Sequence, residues 1–309
     1  MLLMRDKFSE LIKDDLACFN RDLISNSQTN VKDFADVLEY IFAAPGKQIR
    51  PVLGILLAKN LTDTFSNDMS LFLQAIELIH NATLFHDDII DNSKIRRNRN
   101  ALQEEFSNKI AVLSGDYFLS VAIKIIYSLN NQQINKLISD YMKLICEGEI
   151  EQNYSLNKII SIDEYISKTK RKTALLFELT TTGITLLTPN AGDKLIDIAK
   201  KIGENFGILF QLKDDLNNFG ASNDKPVFND LKSGVITAPV LFLSQEFDDI
   251  EKLILNENYD EILDRLNNSQ AIAKTENLIA DYSNNLKASI NLLPQNIYSE
   301  ALSNLFSEI

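Results

Sequence analysis

The stretch from His80 to Arg97, HNATLFHDDIIDNSKIRR, closes a helical run of apolar residues that begins near Leu71. Three carboxylates, Asp87, Asp88 and Asp91, stand at the end of that run. At about 3.6 residues per turn, Asp87 and Asp91 point to one face, one turn apart. Like charges held that close repel each other and are costly to desolvate unless a cation lies between them. Arg96 and Arg97 follow, and paired arginines are suited to gripping phosphate oxygens in bidentate fashion. Acids for a metal followed by arginines for an anion point to a metal-bridged diphosphate site. A solvated acidic helix end followed by a basic loop fits this one stretch equally well.

The pattern recurs. In FQLKDDLNNF, from Phe210 to Phe219, a second apolar helical run ends in Asp214 and Asp215, with Asn218 one turn later. Two acidic helix ends can face each other across a bundle core and share metal ions. Both clusters offer oxygen donors only, which favours Mg2+ or Mn2+ over zinc. The rest of the chain is helical in pattern too. Phe8 to Leu23, Val31 to Phe42, Ile110 to Leu129 and Gln132 to Gln152 all carry apolar residues at helical spacing. Ser161-x-x-Glu164 is a capping box that opens a long helix toward Leu187. Strand-like alternation, a Gly-rich phosphate loop, a nucleophile elbow and internal repeats are all absent from the sequence. The expectation is one all-α domain over residues 1–309, a bundle of long helices around a central cavity.

Composition narrows the function classes. Only 10 Gly and 6 Pro in 309 residues fit few turns and long helices. A net charge of −12 argues against a nucleic-acid or anionic-membrane surface, so any anion site must be built locally. Cys18 and Cys146 have no Cys-x-x-Cys spacing and read as reduced, packed residues. The N-terminus lacks the apolar core of a signal peptide, and no apolar run approaches the roughly 20 residues of a transmembrane helix. A soluble, cytoplasmic protein is expected.

Several single residues carry weaker signals. Lys47 and Arg50, three residues apart, are expected to share a face at the start of a helix after Pro45-Gly46, where the macrodipole disfavours cations unless an anion binds there. A basic surface turn is the alternative. His80 by itself reads as a hydrogen-bonded core histidine, and His86 receives no role. Asp116 reads as a buried, partnered carboxylate, and Gly148 as a point of close helix approach. In the basic run Lys168, Lys170, Arg171, Lys172, both Lys168 and Arg171 read as a solvated face.

Taken in order, these features resemble the trans-type polyprenyl diphosphate synthases over nearly the whole chain. The markers are Gly46-Lys47-Gln48-Ile49-Arg50-Pro51, then His80 with Asp87-Asp88-x-x-Asp91 and Arg96-Arg97. Ser114-Gly115-Asp116-Tyr117, Gly148-Glu149, Lys172-Thr173-Ala174, and Gln211 with Asp214-Asp215 follow. The resemblance implies a Mg2+-dependent prenyltransferase, usually a homodimer, that condenses isopentenyl diphosphate with an allylic diphosphate. It implies that Lys47, Arg50, His80 and Arg97 bind the isopentenyl diphosphate. Arg96, Lys172 and Thr173 would serve the allylic one, Gln211 would also bind substrate, and Lys225 would close over it. Asp87, Asp88, Asp91, Asp214 and Asp215 would do the metal-dependent chemistry with Lys172. Asp87, Asp91 and Asp214 would bind about three Mg2+ ions directly, a metal that joins a few carboxylates to substrate phosphates.

Three positions depart from the family pattern. Asn98 stands where a glycine is usual, and Asn tolerates a left-handed turn. Asn218 replaces the third aspartate of the second cluster, and Val235 replaces a lysine. A neutral amide adds no charge, so weakened metal affinity is expected rather than an inactive enzyme. Ala82 and Thr83, the residues one turn before Asp87, are small, which leaves room for a long product of octaprenyl type. They could instead merely permit close helix packing. A shorter-chain farnesyl or geranylgeranyl synthase, a non-catalytic regulatory subunit and a terpene cyclase are the rival readings. The isopentenyl set Lys47, Arg50 and Arg97 opposes the cyclase.

Overall fold

Helices make up nearly all regular structure in the computed structural model, which describes residues 5–154, 156–219 and 229–306. The first half holds α1 (Arg5–Asn26), α2 (Lys32–Phe42), α3 (Ile49–Thr62), α4 (Asn67–Ile90), α5 (Leu102–Glu105), α6 (Asn108–Ser128) and α7 (Gln132–Tyr154). The second holds α8 (Ile162–Thr169), a π-turn (Lys170–Ala174), α9 (Leu175–Leu186), α10 (Asp193–Asn217) and α11 (Asn229–Lys232). It ends with α12 (Ala238–Ser244), α13 (Ile250–Leu255), α14 (Tyr259–Asn267), α15 (Ala271–Ile290) and α16 (Ile297–Leu305). The strands among the described residues are β1 (Ile95–Arg96) and β2 (Arg99–Asn100), paired antiparallel with Ile95 opposite Asn100. The fold is all-α, as the periodicity requires.

Local chemistry sets the helix starts. Ser66 caps α4 by accepting the Met69 N–H at 3.3 Å, and Ser107 caps α6 through Ile110 N at 3.2 Å. The Ser161–Glu164 capping box forms in both directions at the start of α8. The helix it opens is not continuous, however. Five residues, Lys170–Ala174, adopt a π-turn between α8 and α9, a feature common at functional sites. The shared face of Lys47 and Arg50 also fails. Helix α3 begins at Ile49, and Gln48 before it is left-handed at φ 51°, so exposed Lys47 lies on the preceding turn.

The chain divides into two compact units. One comprises Met1–Leu137, Thr180–Ile196 and Leu293–Glu308, the other Ile138–Leu179 and Asp197–Leu292 with the last residue. In the first unit α4 lies along α6, burying Phe72, Ile76, Phe118 and Ala122 completely. Each such aromatic contributes roughly 2–3 kcal/mol by leaving water. Gly183 lets the Phe72 ring approach the α9 backbone, and any side chain at that position would collide with it. In the second unit Leu212, Leu231, Val240, Leu241, Ile250 and Ile262 form a dry cluster under α8, α12 and α14.

Three further expectations need correcting. Helix α6 is, by length and composition, apolar enough to cross a membrane, although less than half of its most apolar window is buried. Cys18 and Cys146 are free but exposed, each one position out of register with a buried neighbour, Phe19 and Ile145. Asp116 is exposed as well, facing out from α6 with its Oδ1 3.7 Å from His86 Nε2.

Candidate active site

In the first unit the acids grow out of the last turn of α4. The Asp91 N–H returns to the Asp87 carbonyl at 2.8 Å, which keeps the two side chains one turn apart on the helix end. Asp87 is half-buried and Asp91 exposed. Asp88 turns inward and is 2% exposed. Arg96 holds it, with Nε donating to Oδ1 at 3.0 Å and to Oδ2 at 3.1 Å, and Nη2 donating to Oδ1 as well. Burial works against the Arg96 cation, but Asp88, with Asp87 and Asp91, keeps its pKa above the usual value.

The β1–β2 hairpin delivers that arginine. Its two-residue turn is Arg97–Asn98, at φ 54° and 58°, so Asn98 does take the left-handed geometry for which glycine is usual. Arg97 is a less ordinary occupant, at a backbone cost of about 1 kcal/mol. Its side chain offsets this. Nη1 donates to the Ala44 carbonyl at 2.7 Å and Nη2 to Asn81 Oδ1 at 3.1 Å. Gly46, at φ 74°, lies against the same guanidinium, and a Cβ there would be 2.7 Å from Arg97 Cζ.

Beside these groups lies a carboxylate that the sequence reading did not single out. Glu77, on α4, is 3% exposed. Burial raises its pKa, while Arg50 and then Arg97 pull against that rise. Burial lowers the Arg50 guanidinium to about 10, opposed by Glu77, so Arg50 stays charged at neutral pH. Burial, then Arg50 and Arg97, hold His80 well below the usual imidazole value. His80 is therefore neutral and offers an N–H donor, not a positive charge. Arg50 and Arg97 thus bear on both the buried acid Glu77 and the neutral His80. The available signal was position: Glu77 is three residues before His80 on an otherwise apolar stretch of α4.

Ala82, one turn above Asp87, is fully buried, and Thr83 is half-buried with its hydroxyl bonded to the His80 carbonyl at 2.9 Å. The nearest aromatic on the helix, Phe85, packs edge-on to Phe118 at 5.4 Å. His86 sits over Gly115, where any side chain would overlap its ring.

In the second unit α10 carries the other cluster. Asp214 is half-buried and Asp215 1% exposed. Gln211 Nε2 donates to Asp215 Oδ1 at 2.7 Å, while the Tyr165 hydroxyl and the Ala238 N–H, at 3.4 Å, donate to Oδ2. Burial raises the Asp215 carboxyl to about 7, against the bonds from Tyr165 and Gln211. Thr173 donates to Gln211 Oε1 at 2.8 Å, so two residues expected to bind substrate are tied to each other. Lys172 Nζ lies 3.5 Å from Glu149 Oε2, Lys170 pairs with Glu204 at 2.8 Å, and Arg171 pairs with Glu151. Lys168 and Arg171 are only partly solvated, and the Arg171–Glu151 pair lies at the surface. Both are half-buried, and Arg171 packs on Gly148, where a Cβ would lie 2.9 Å from Arg171 Cβ. Burial, then Lys172, lowers the pKa of Lys168.

The two departures at this cluster meet on one residue. Buried Asn218 donates its amide to Asp230 Oδ2, and the Val235 N–H donates to the Asp230 carbonyl at 2.8 Å. Asp230 also passed unnoticed in the sequence. Lys225 lies outside the described residues.

No group of three Asp, Glu, His or Cys side chains forms a ready-made metal cage among the described residues. The donor set suits a hard cation that completes its shell with phosphate and water, as Mg2+ does. Asp87, Asp91 and Asp214 are the partly exposed acids of the two clusters, whereas Asp88 and Asp215 are buried and hydrogen-bonded. The all-oxygen set does not suit a structural zinc site.

Comparison with known proteins agrees. A family model described as polyprenyl synthetase matches residues 31–277. The chain is 34% identical to the decaprenyl-diphosphate synthase of Dictyostelium discoideum over 270 residues, covering 84% of this chain and 59% of that protein. It is 31% identical to the chloroplastic solanesyl diphosphate synthase 2 of Arabidopsis thaliana, covering 96% of this chain and 74% of the relative. Among solved structures, a polyprenyl synthase from Caulobacter crescentus, complexed with calcium and isoprenyl diphosphate, aligns with a TM-score of 0.89. Identity there is 26%, over 97% of this chain and 95% of that one. Heptaprenyl diphosphate synthase from Staphylococcus aureus, at 24% identity, shares the fold with a TM-score of 0.90 over 96% of this chain and 97% of that one. The chain belongs to the polyprenyl synthetase family and is a prenyltransferase.

Proposed function

We propose that the protein adds isopentenyl diphosphate repeatedly to an allylic diphosphate and so makes a long trans polyprenyl diphosphate. The observation that carries this is that Arg50 and Arg97 both bear on buried Glu77 and on neutral His80, two residues of the helix that ends in Asp87 and Asp91. Two guanidinium groups and an imidazole N–H suit the diphosphate of the isopentenyl substrate, with Lys47 adding charge from the turn. Arg96, Lys172, Thr173 and Gln211 are assigned to the allylic diphosphate, with Lys225. Asp87, Asp91 and Asp214 are assigned to Mg2+ (about three ions, with Mn2+ a workable substitute), and Asp88 and Asp215 hold those acids in place. Bound metal would supply neutralisation of the departing diphosphate.

The chemistry balances as an alkyl transfer. The allylic C–O bond breaks with its electron pair leaving on the diphosphate, whose charge Arg96 and Lys172 help to neutralise. The isopentenyl double bond attacks the allylic cation, and loss of one proton gives the new double bond. Holding the two partners in register supplies much of the rate. Small Ala82 and Thr83 favour a long product, in keeping with the decaprenyl and solanesyl names of the relatives. The same reading takes the two units as one working domain in the cytoplasm. It pairs two copies of the chain through the exposed apolar face of α6, formed by Val112, Leu113, Ile123 and Tyr127. Steady-state kinetics test the isopentenyl assignment. Arg97→Ala should raise KM for isopentenyl diphosphate by about tenfold or more, the worth of a charge-assisted bond, with the allylic KM little changed. An unmoved isopentenyl KM would refute the assignment.

A further inference from the structure

We propose that Tyr165 is a positioning residue: through Asp215 it locks the π-turn carrying Lys172 and Thr173 onto the helix carrying Asp214. The inference rests on the assignment of Lys172 and Asp214 to the allylic diphosphate and its metal. Tyr165 lies on α8, buried in the apolar cluster of the second unit, and its hydroxyl donates to Asp215 Oδ2. The other carboxylate oxygen takes Gln211 Nε2 at 2.7 Å, and Gln211 Oε1 takes the Thr173 hydroxyl at 2.8 Å. The Ala238 N–H, at the first residue of α12, joins at 3.4 Å. Three segments, α8, α10 and α12, therefore meet on one carboxylate, and the π-turn joins them through Gln211.

The geometry of the helix gives this arrangement a purpose. Tyr165 lies within α8 and Thr173 within the π-turn that follows it, so the network ties both the helix and the irregular backbone to α10. A π-turn is a rare conformation that persists where its surroundings hold it. Its central residues include Lys172, whose Nζ is directed toward Glu149, and Asp214 is the immediate neighbour of the anchored Asp215. Loss of the Tyr165 hydroxyl takes away one of the two donors on Oδ2 and frees the carboxylate to turn. The registers of Thr173, Lys172 and Asp214 then loosen together. The ring packing is retained in Tyr165→Phe, so the variant isolates the hydroxyl.

The test combines calorimetry of inorganic pyrophosphate binding in Mg2+, steady-state kinetics, and hydrogen exchange over Lys170–Ala174, on the full chain. For Tyr165→Phe, pyrophosphate affinity should fall and the allylic KM should rise, each about tenfold, as expected for a lost buried hydrogen bond. The KM for isopentenyl diphosphate should stay within about twofold, since its assigned groups lie elsewhere. Exchange should rise in the π-turn while α15 keeps its protection. Unchanged pyrophosphate affinity in the variant, beside normal binding by the wild-type protein, would overturn the positioning role. So would exchange that rises throughout the chain with no selective change in the allylic KM, the signature of a merely structural tyrosine. Failure of the wild-type protein itself to bind pyrophosphate in Mg2+ would instead overturn the diphosphate assignment beneath it.

Discussion

A carboxylate buried between guanidinium groups is costly unless each charge answers another, and Glu77 shows the balance at the scale of one residue. Glu77→Ala would leave Arg50 and Arg97 facing each other without their acid. Removing one partner from a buried charge cluster typically costs about 3–5 kcal/mol. Thermal unfolding should show a drop of roughly 10 °C in Tm, and an unchanged Tm would contradict this role. His80 makes a second case. Its folded-state pKa lies below the usual 6.5, so the unfolded chain takes up a proton that the folded chain refuses. Stability from this group is therefore complete above about pH 6.5 and falls as pH drops below it. His80→Gln should flatten the loss of Tm between pH 7.5 and 5.5 relative to wild type, and equal slopes would count against a buried neutral imidazole. Asn218 makes a third. An aspartate there would meet the Asp230 carboxylate at a position only 5% exposed. Asn218→Asp should lower Tm without metal and recover more on adding Mg2+ than wild type does, readable in paired melts.

Among the elements, α6 and the α8–α9 segment show what sequence patterns convey and what they hide. The capping box at Ser161 and Glu164 was legible because both hydrogen bonds are local to four consecutive residues. The helix beyond it reads as continuous because a π-turn leaves the side-chain types unchanged and alters only the backbone register. Lys47 was misplaced for a similar reason. A left-handed Gln48 has no residue-type signature, so the start of α3 could not be read from Pro45-Gly46. Asp88 and Asp215 belong to motifs that stand out at once, but which carboxylates face inward depends on the hairpin that returns Arg96 to Asp88 and on Tyr165, far from Asp215 in sequence. The role of Gly148 was readable, because the partner that needs the space, Arg171, lies in the basic run already singled out. At this scale α6 makes the clearest prediction. Ile123→Glu with Tyr127→Glu puts two charges on its exposed apolar face without touching the buried side. Sedimentation should show a dimer converted to a monomer with intact helicity. A protein that is already monomeric, or a dimer indifferent to both charges, would remove α6 as the pairing surface.

At the scale of the whole molecule, each unit holds one acidic helix end and its own cations. Arg50, His80 and Arg97 lie in the first unit, and Lys172 and Asp214 in the second. Long-chain output belongs to this scale, because it depends on space beyond the reacting atoms. Ala82→Phe, which replaces a small buried residue by a bulky aromatic one turn from Asp87, should shorten the product while elongation continues. The most direct measurement is chain elongation by the purified protein alone, given labelled isopentenyl diphosphate, farnesyl diphosphate and Mg2+, with the products sized after dephosphorylation. The predicted result is a ladder of trans products ending at heptaprenyl or longer, which would also show that Asn218 and Val235 are tolerated. Products stopping at geranylgeranyl would contradict the long-chain assignment, and no incorporation by folded protein at any Mg2+ concentration would contradict catalysis by this chain alone.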